Sequence, residues 1–98
     1  RDFIYVKDLV NAIIKAISLR KNFDIINIGS GKSYSVLKVI DIIQKIKKIN
    51  LKVQSSGQRR SDEIMDTQAN IKKAKKLLGW KPVWSFEQGL IDSYDLKK

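Results

Sequence analysis

The sequence predicts an α/β fold of about four helices joined by short strands, and three observations carry that prediction. Segments whose apolar residues recur every three or four positions alternate with short, continuous apolar runs. A glycine-rich turn, Gly29-Ser30-Gly31, stands between one such run and the next helical segment, where a strand would hand over to a helix. Residues suited to starting or ending a helix flank the periodic segments.

Taken in order, Phe3 to Val6 is a short β-branched and aromatic run. Asp8 is then placed to cap a first helix over about Leu9 to Leu19, in which Val10, Ile13, Ile14 and Ile17 recur at helical spacing. Phe23 to Ile28 is an apolar strand of the buried, parallel type, ending at the glycine turn. Ser35 is the expected N-cap of a second helix whose stripe of Val36, Val39, Ile40, Ile43 and Ile46 is assigned to the core. Leu51 to Gln54 reads as a further strand, after which Ser55-Ser56-Gly57-Gln58 breaks the periodicity and leads into Arg59-Arg60. Asn70 caps a short helix through Ala74, Leu77 and Leu78, and Gly79, suited to the left-handed conformation, stops it. Ser85 with Gln88 three residues later forms a capping box that opens a final helix carrying Leu90, Ile91 and Tyr94.

With 98 residues and 43% hydrophobic content, residues 1–98 are expected to form a single domain. The absence of cysteine and histidine removes disulfide staples and the usual zinc or iron ligands. Lysine or aspartate interrupts the apolar stretches, and no charged-then-apolar leader is visible, so the expectation is a soluble, cytoplasmic protein with no membrane partner. The net charge of +10 raises a nucleic-acid reading. Against it, arginine occurs only at positions 1, 20, 59 and 60, the lysines are scattered over helix faces, and aromatics are not interleaved with them. A free-standing basic adaptor for RNA or an acidic protein is the alternative from a different functional class.

The glycine turn fails the phosphate-binding patterns it superficially suggests. A P-loop ending in Gly31-Lys32-Ser33 needs glycine five residues before Gly31, where Ile26 stands, and a dinucleotide fingerprint needs its third glycine at Tyr34. These glycines are read as turning the chain. Arg1, taken alone, is a surface charge.

Arg1-Asp2-Phe3-Ile4-Tyr5-Val6-Lys7-Asp8, the Asn27-Ile28-Gly29-Ser30-Gly31 turn, Arg60-Ser61-Asp62-Glu63, Lys73 to Pro82 and Ser85 to Leu90 together resemble the C-terminal part of the extended short-chain dehydrogenase/reductases, the NAD-dependent nucleotide-sugar epimerases and dehydratases. The resemblance implies a C-terminal substrate-binding portion of a Rossmann-type enzyme that grips the diphosphate of a nucleotide-sugar. It assigns Arg1 and Arg60 to the diphosphate from opposite sides, Glu63 to orienting Arg60 or approaching the nucleoside sugar, and Thr67 to the sugar pocket. Asp2 and Asp8 are expected to brace the loop and cap the helix. Arg60-Ser61-Asp62-Glu63 lacks the proline and glycine of the family's loop. The family's Tyr-x-x-x-Lys pair is matched formally by Tyr34–Lys38 and Tyr94–Lys98, both read as coincidence, so no catalytic residue is assigned to this chain. NAD or NADP is expected on an N-terminal Rossmann domain, which would also be this portion's partner, within a homodimeric parent.

Overall fold

The computed structural model describes residues 1–19, 23–50, 52 and 67–96. Four helices follow one another: α1 (Val6–Ile17), α2 (Val36–Lys47), α3 (Lys72–Leu78) and α4 (Phe86–Leu96). Helix α1 packs on α3, and α2 packs on α4. None of the described helices is long and apolar enough to cross a membrane.

Helix α1 starts at Val6 and not at Leu9, because the extended Tyr5 supplies the carbonyl that accepts the Asp8 and Leu9 amides at 3.0 and 3.2 Å. Asp8 therefore lies in the first turn and is not the cap. Its carboxylate accepts the Val83 amide at 2.9 Å and the Trp84 amide at 3.1 Å, while its carbonyl accepts the Trp80 indole N–H at 3.0 Å. A carboxylate only 2% exposed would be costly without partners, and these amides supply them.

The core joins α1 to α3. Ala12 and Ala74 are small enough for the two helices to approach closely, and Ile71 and Trp80 close the cluster, with Ile4, Ile26, Ile28, Ala69 and Leu78 packed around it. Trp80, 1% exposed, fills the largest buried volume, and Gly79 at φ 61° lets the chain leave α3 so that this ring turns inward.

The α2 stripe expected in the core is only partly covered, and the apolar stripe of α1 faces outward. Val10, Ile13, Ile14 and Ile17 of α1 are exposed, and the buried side of that helix is the Asp8–Ala12 line. In α2 the buried residue is Ile42, flanked by half-buried Val39 and Ile46, whereas Val36 is exposed. Helical periodicity fixes that a stripe exists. Which side of it finds a neighbour is a tertiary matter.

The expected strands form no ladder among the described residues. Exposure alternates along residues 23–28: Asp24, Ile26 and Ile28 are half-buried while Phe23 and Ile25 are 81% and 69% exposed. The alternation is that of a strand, but the segment forms no ladder with any of the described residues. Phe3 to Val6 is cut short by the start of α1, and Leu51 to Gln54, apart from Lys52, lies outside the described residues.

Candidate functional site

Asp2 organises the edge of the molecule around Arg1. One carboxylate oxygen accepts the Ser30 amide at 2.8 Å and the Ser30 hydroxyl at 2.6 Å. The other accepts the Gly31 amide at 3.1 Å and the Ala69 amide at 3.0 Å. Partial burial by itself raises the Asp2 pKa, but the bonds from the Ser30 hydroxyl and the Ala69, Ser30 and Gly31 amides outweigh it and hold the carboxyl below the ordinary value of 3.8. The side chain thus joins three segments far apart in sequence.

Two glycines make this possible. A Cβ at Gly29 would stand 2.6 Å from the Ala69 Cβ and 2.9 Å from the Asp2 carboxylate, so nothing larger than hydrogen fits. Gly31 adopts φ +75°, which points its amide toward Asp2. Gln68 adds a bond from its Nε2 to the Gly31 carbonyl at 2.6 Å.

Arg1 is exposed, and its main chain is held by a reciprocal pair with Tyr34: the Arg1 main-chain nitrogen donates to the Tyr34 carbonyl and the Tyr34 amide donates to the Arg1 carbonyl, each at 2.8 Å. Thr67, two residues before Ala69, has a buried hydroxyl with no hydrogen-bond partner among the described residues. The Asp2 junction thus ties the segment carrying Thr67 to the segment carrying Arg1. Arg60 and Glu63 lie outside the described residues.

The glycine turn turns the chain, as expected, and its geometry explains why. The Ser30 and Gly31 amides close on Asp2, and the Lys32 amide closes on the Ser30 hydroxyl at 3.1 Å. An amide cradle already filled by an internal carboxylate does not fit the pyrophosphate of a dinucleotide. Among the described residues no cluster of three His, Cys, Asp or Glu side chains could hold a metal ion.

A groove of about 610 Å³ lies alongside, lined by Phe3, Tyr5, Lys32, Tyr34, Trp84 and Phe86 among others, a volume within the usual range for small-molecule clefts. Its aromatic wall is cross-braced. The Phe3 and Phe86 rings meet edge-on at 5.7 Å, and two tilted pairs, Tyr34 with Phe86 and Tyr5 with Trp84, lie at 5.0 and 4.8 Å. The Tyr5 hydroxyl donates to Asp92, which also pairs with Lys7 at 2.9 Å. Those two bonds, Tyr5 first, lower the Asp92 pKa, and the bond to Asp92 raises that of Tyr5. Tyr34 stacks on Phe86 while Lys38 is exposed, an arrangement in which this Tyr-x-x-x-Lys match serves packing.

Sequence reasoning missed Gln68, the aromatic wall and the Tyr5–Lys7–Asp92 group. No local signal reveals them, since Tyr5 and Asp92 are 87 positions apart.

Comparison with known proteins gives a consistent result. Residues 1–93 match the family model described as GDP-mannose 4,6 dehydratase. The UDP-glucuronate 4-epimerase of Thermodesulfobacterium geofontis is 35% identical over 91 residues, which cover 92% of this chain and 28% of that protein. The structure of UDP-glucose 4-epimerase from Thermotoga maritima with UDP-glucose superposes with a TM-score of 0.87 at 28% identity, over 99% of this chain and 32% of that one. The structure of MoeE5 in complex with UDP-glucuronic acid and NAD superposes with a TM-score of 0.85 at 25% identity, over 100% of this chain and 34% of that one. The chain thus spans about a third or less of each relative's length, and the part it aligns to is C-terminal.

Proposed function

Because the chain belongs to the GDP-mannose 4,6 dehydratase family, we propose that it is the nucleotide-sugar-binding portion of an NAD- or NADP-dependent epimerase or dehydratase. The observation that carries this reading is the Asp2 junction, which holds the Arg1 segment, the glycine turn and the Thr67 segment as one unit. A guanidinium at that edge suits a diphosphate, because its planar fork gives paired, charge-assisted hydrogen bonds. Arg60 supplies the second arm of the clamp, with Glu63 orienting it, and Thr67 with its unpartnered hydroxyl faces the sugar.

The part these residues play is positional. Grip on the diphosphate, remote from the reacting carbon, aligns the sugar for chemistry performed by residues this chain does not contain. The dinucleotide supplies hydride transfer when bound, and the filled amide cradle at Gly29–Gly31 makes that turn unsuited to holding it, so no redox step is assigned here. The exposed α1 stripe of Val10, Ile13, Ile14 and Ile17 offers the surface on which the remainder of a longer enzyme would pack. The basic-adaptor alternative gains no support from the relatives.

The test is titration of the chain with UDP-, GDP-, CDP- and dTDP-sugars, followed by NMR. Expected are shifts converging on Arg1 and Thr67 with one base preferred. Arg1→Ala and Arg60→Ala should each weaken binding by roughly 10- to 100-fold, the loss typical of a charge-assisted hydrogen-bond pair. Wild-type affinity in either variant would overturn the clamp.

A further inference from the structure

We infer that Asp2 is a positioning residue of the nucleotide-sugar site, holding Arg1 and Thr67 in register by occupying, as an internal anion, the amide cradle formed by Ser30, Gly31 and Ala69. The inference rests on the clamp reading above and adds to it a residue that touches no ligand.

The geometry is specific. Four donors from two segments converge on one carboxylate, at 2.6 to 3.1 Å, and each of the two oxygens takes two. Asp2 immediately follows Arg1, so the four bonds that fix its carboxylate also restrain the main chain next to Arg1. On its other side the Arg1 main chain is fixed by the reciprocal bonds to Tyr34, while its guanidinium makes no hydrogen bond or ion pair with the described residues. Ala69 lies two positions from Thr67, so the same carboxylate restrains the distance between the first diphosphate arm and the sugar-facing hydroxyl. Gly29 shows how tightly the junction is packed, since its missing side chain is what lets Ala69 and Asp2 approach.

A neutral amide cannot replace this carboxylate. Asparagine at position 2 retains one acceptor oxygen for Ser30 and turns an NH2 toward the Gly31 and Ala69 amides, setting donor against donor. The turn and the Thr67 segment then separate from Arg1.

The experiment is a double-mutant cycle on UDP affinity, measured by calorimetry with the wild type, Asp2→Asn, Arg1→Ala and the double variant, with the Trp80 indole NMR signal reporting an intact core. The expected result is that Asp2→Asn weakens UDP binding roughly tenfold in the wild-type background and has little effect once Arg1 is alanine, the non-additivity of residues that act through one another. A Ser30→Ala variant, which removes one of the four donors, should weaken binding by about 2- to 3-fold on the same logic and serves if Asp2→Asn does not fold. Full affinity in Asp2→Asn, or an undiminished loss in the Arg1→Ala background, would overturn the inference and leave the clamp standing. If Arg1→Ala binds UDP as the wild type does, or neither binds, the clamp falls and this inference with it.

Discussion

At the scale of single residues, two aspartates of one short motif do different structural work. Asp2, partly exposed, joins loops, and Asp8, buried, locks the Val83–Trp84 main chain under α1. Each uses backbone amides as partners, which suits a carboxylate whose neighbours in space are far away in sequence. The glycines beside Asp2 are equally specific. Gly29→Ala would force a methyl into the 2.6 Å gap before Ala69, and the backbone on one side must move. The expected cost is about 1–3 kcal/mol, as for other overpacked sites, read as a lower urea midpoint with unchanged m-value. A midpoint equal to the wild type's would show that the turn and the 67–70 segment separate freely.

At the scale of elements, the helix boundaries follow local chemistry closely at α2, α3 and α4. Ser35 accepts the Lys38 amide at 3.0 Å, Gly79 ends α3 in the left-handed region, and Ser85 and Gln88 exchange bonds of 3.1 and 2.9 Å as a complete capping box. Asn70 contributes one residue outside the expected position, its side chain accepting the Lys72 amide at 3.1 Å while Ile71 occupies the cap. Ser85→Ala should lower stability by about 1 kcal/mol, with the amide of Gln88 exchanging faster than the rest of α4. No change in exchange at Gln88 would mean that the aromatic contacts of Phe86, not the box, hold the start of that helix. Helix α1 departs from its expected start because Asp8, the visible cap candidate, is drawn to the amides at 83 and 84, a contact no local window contains.

At the scale of the whole molecule, the described residues make a thin core. Ala12, Ile42, Ile71, Ala74 and Trp80 are its buried apolar members, and two of them are alanines. Ile13, Ile14 and Ile17 stand 53%, 58% and 80% exposed along one face of α1, and Phe23, which lines a cavity with Ile13, is exposed on a segment with no ladder partner among the described residues. Such a face in water favours association. Sedimentation of the chain should show concentration-dependent self-association that Ile13→Lys with Ile17→Lys abolishes while leaving the melting temperature within a few degrees, as for surface substitutions. A wild-type chain that stays monomeric at high concentration would refute this.

The sequence by itself determined the four helices found among the described residues, the N-caps of α2 and α4, the C-cap of α3, the turning role of the glycines and, through Arg1 to Asp8 and Lys73 to Pro82, the family. All of these depend on residues within a few positions of one another, where backbone geometry and capping act. Tertiary structure alone decided which stripes are covered, where Asp8 aims its carboxylate, that Lys73 pairs with Asp24 and that Tyr5 meets Asp92. Those contacts join positions tens of residues apart, and periodicity carries the existence of an apolar face but not the identity of the surface that meets it.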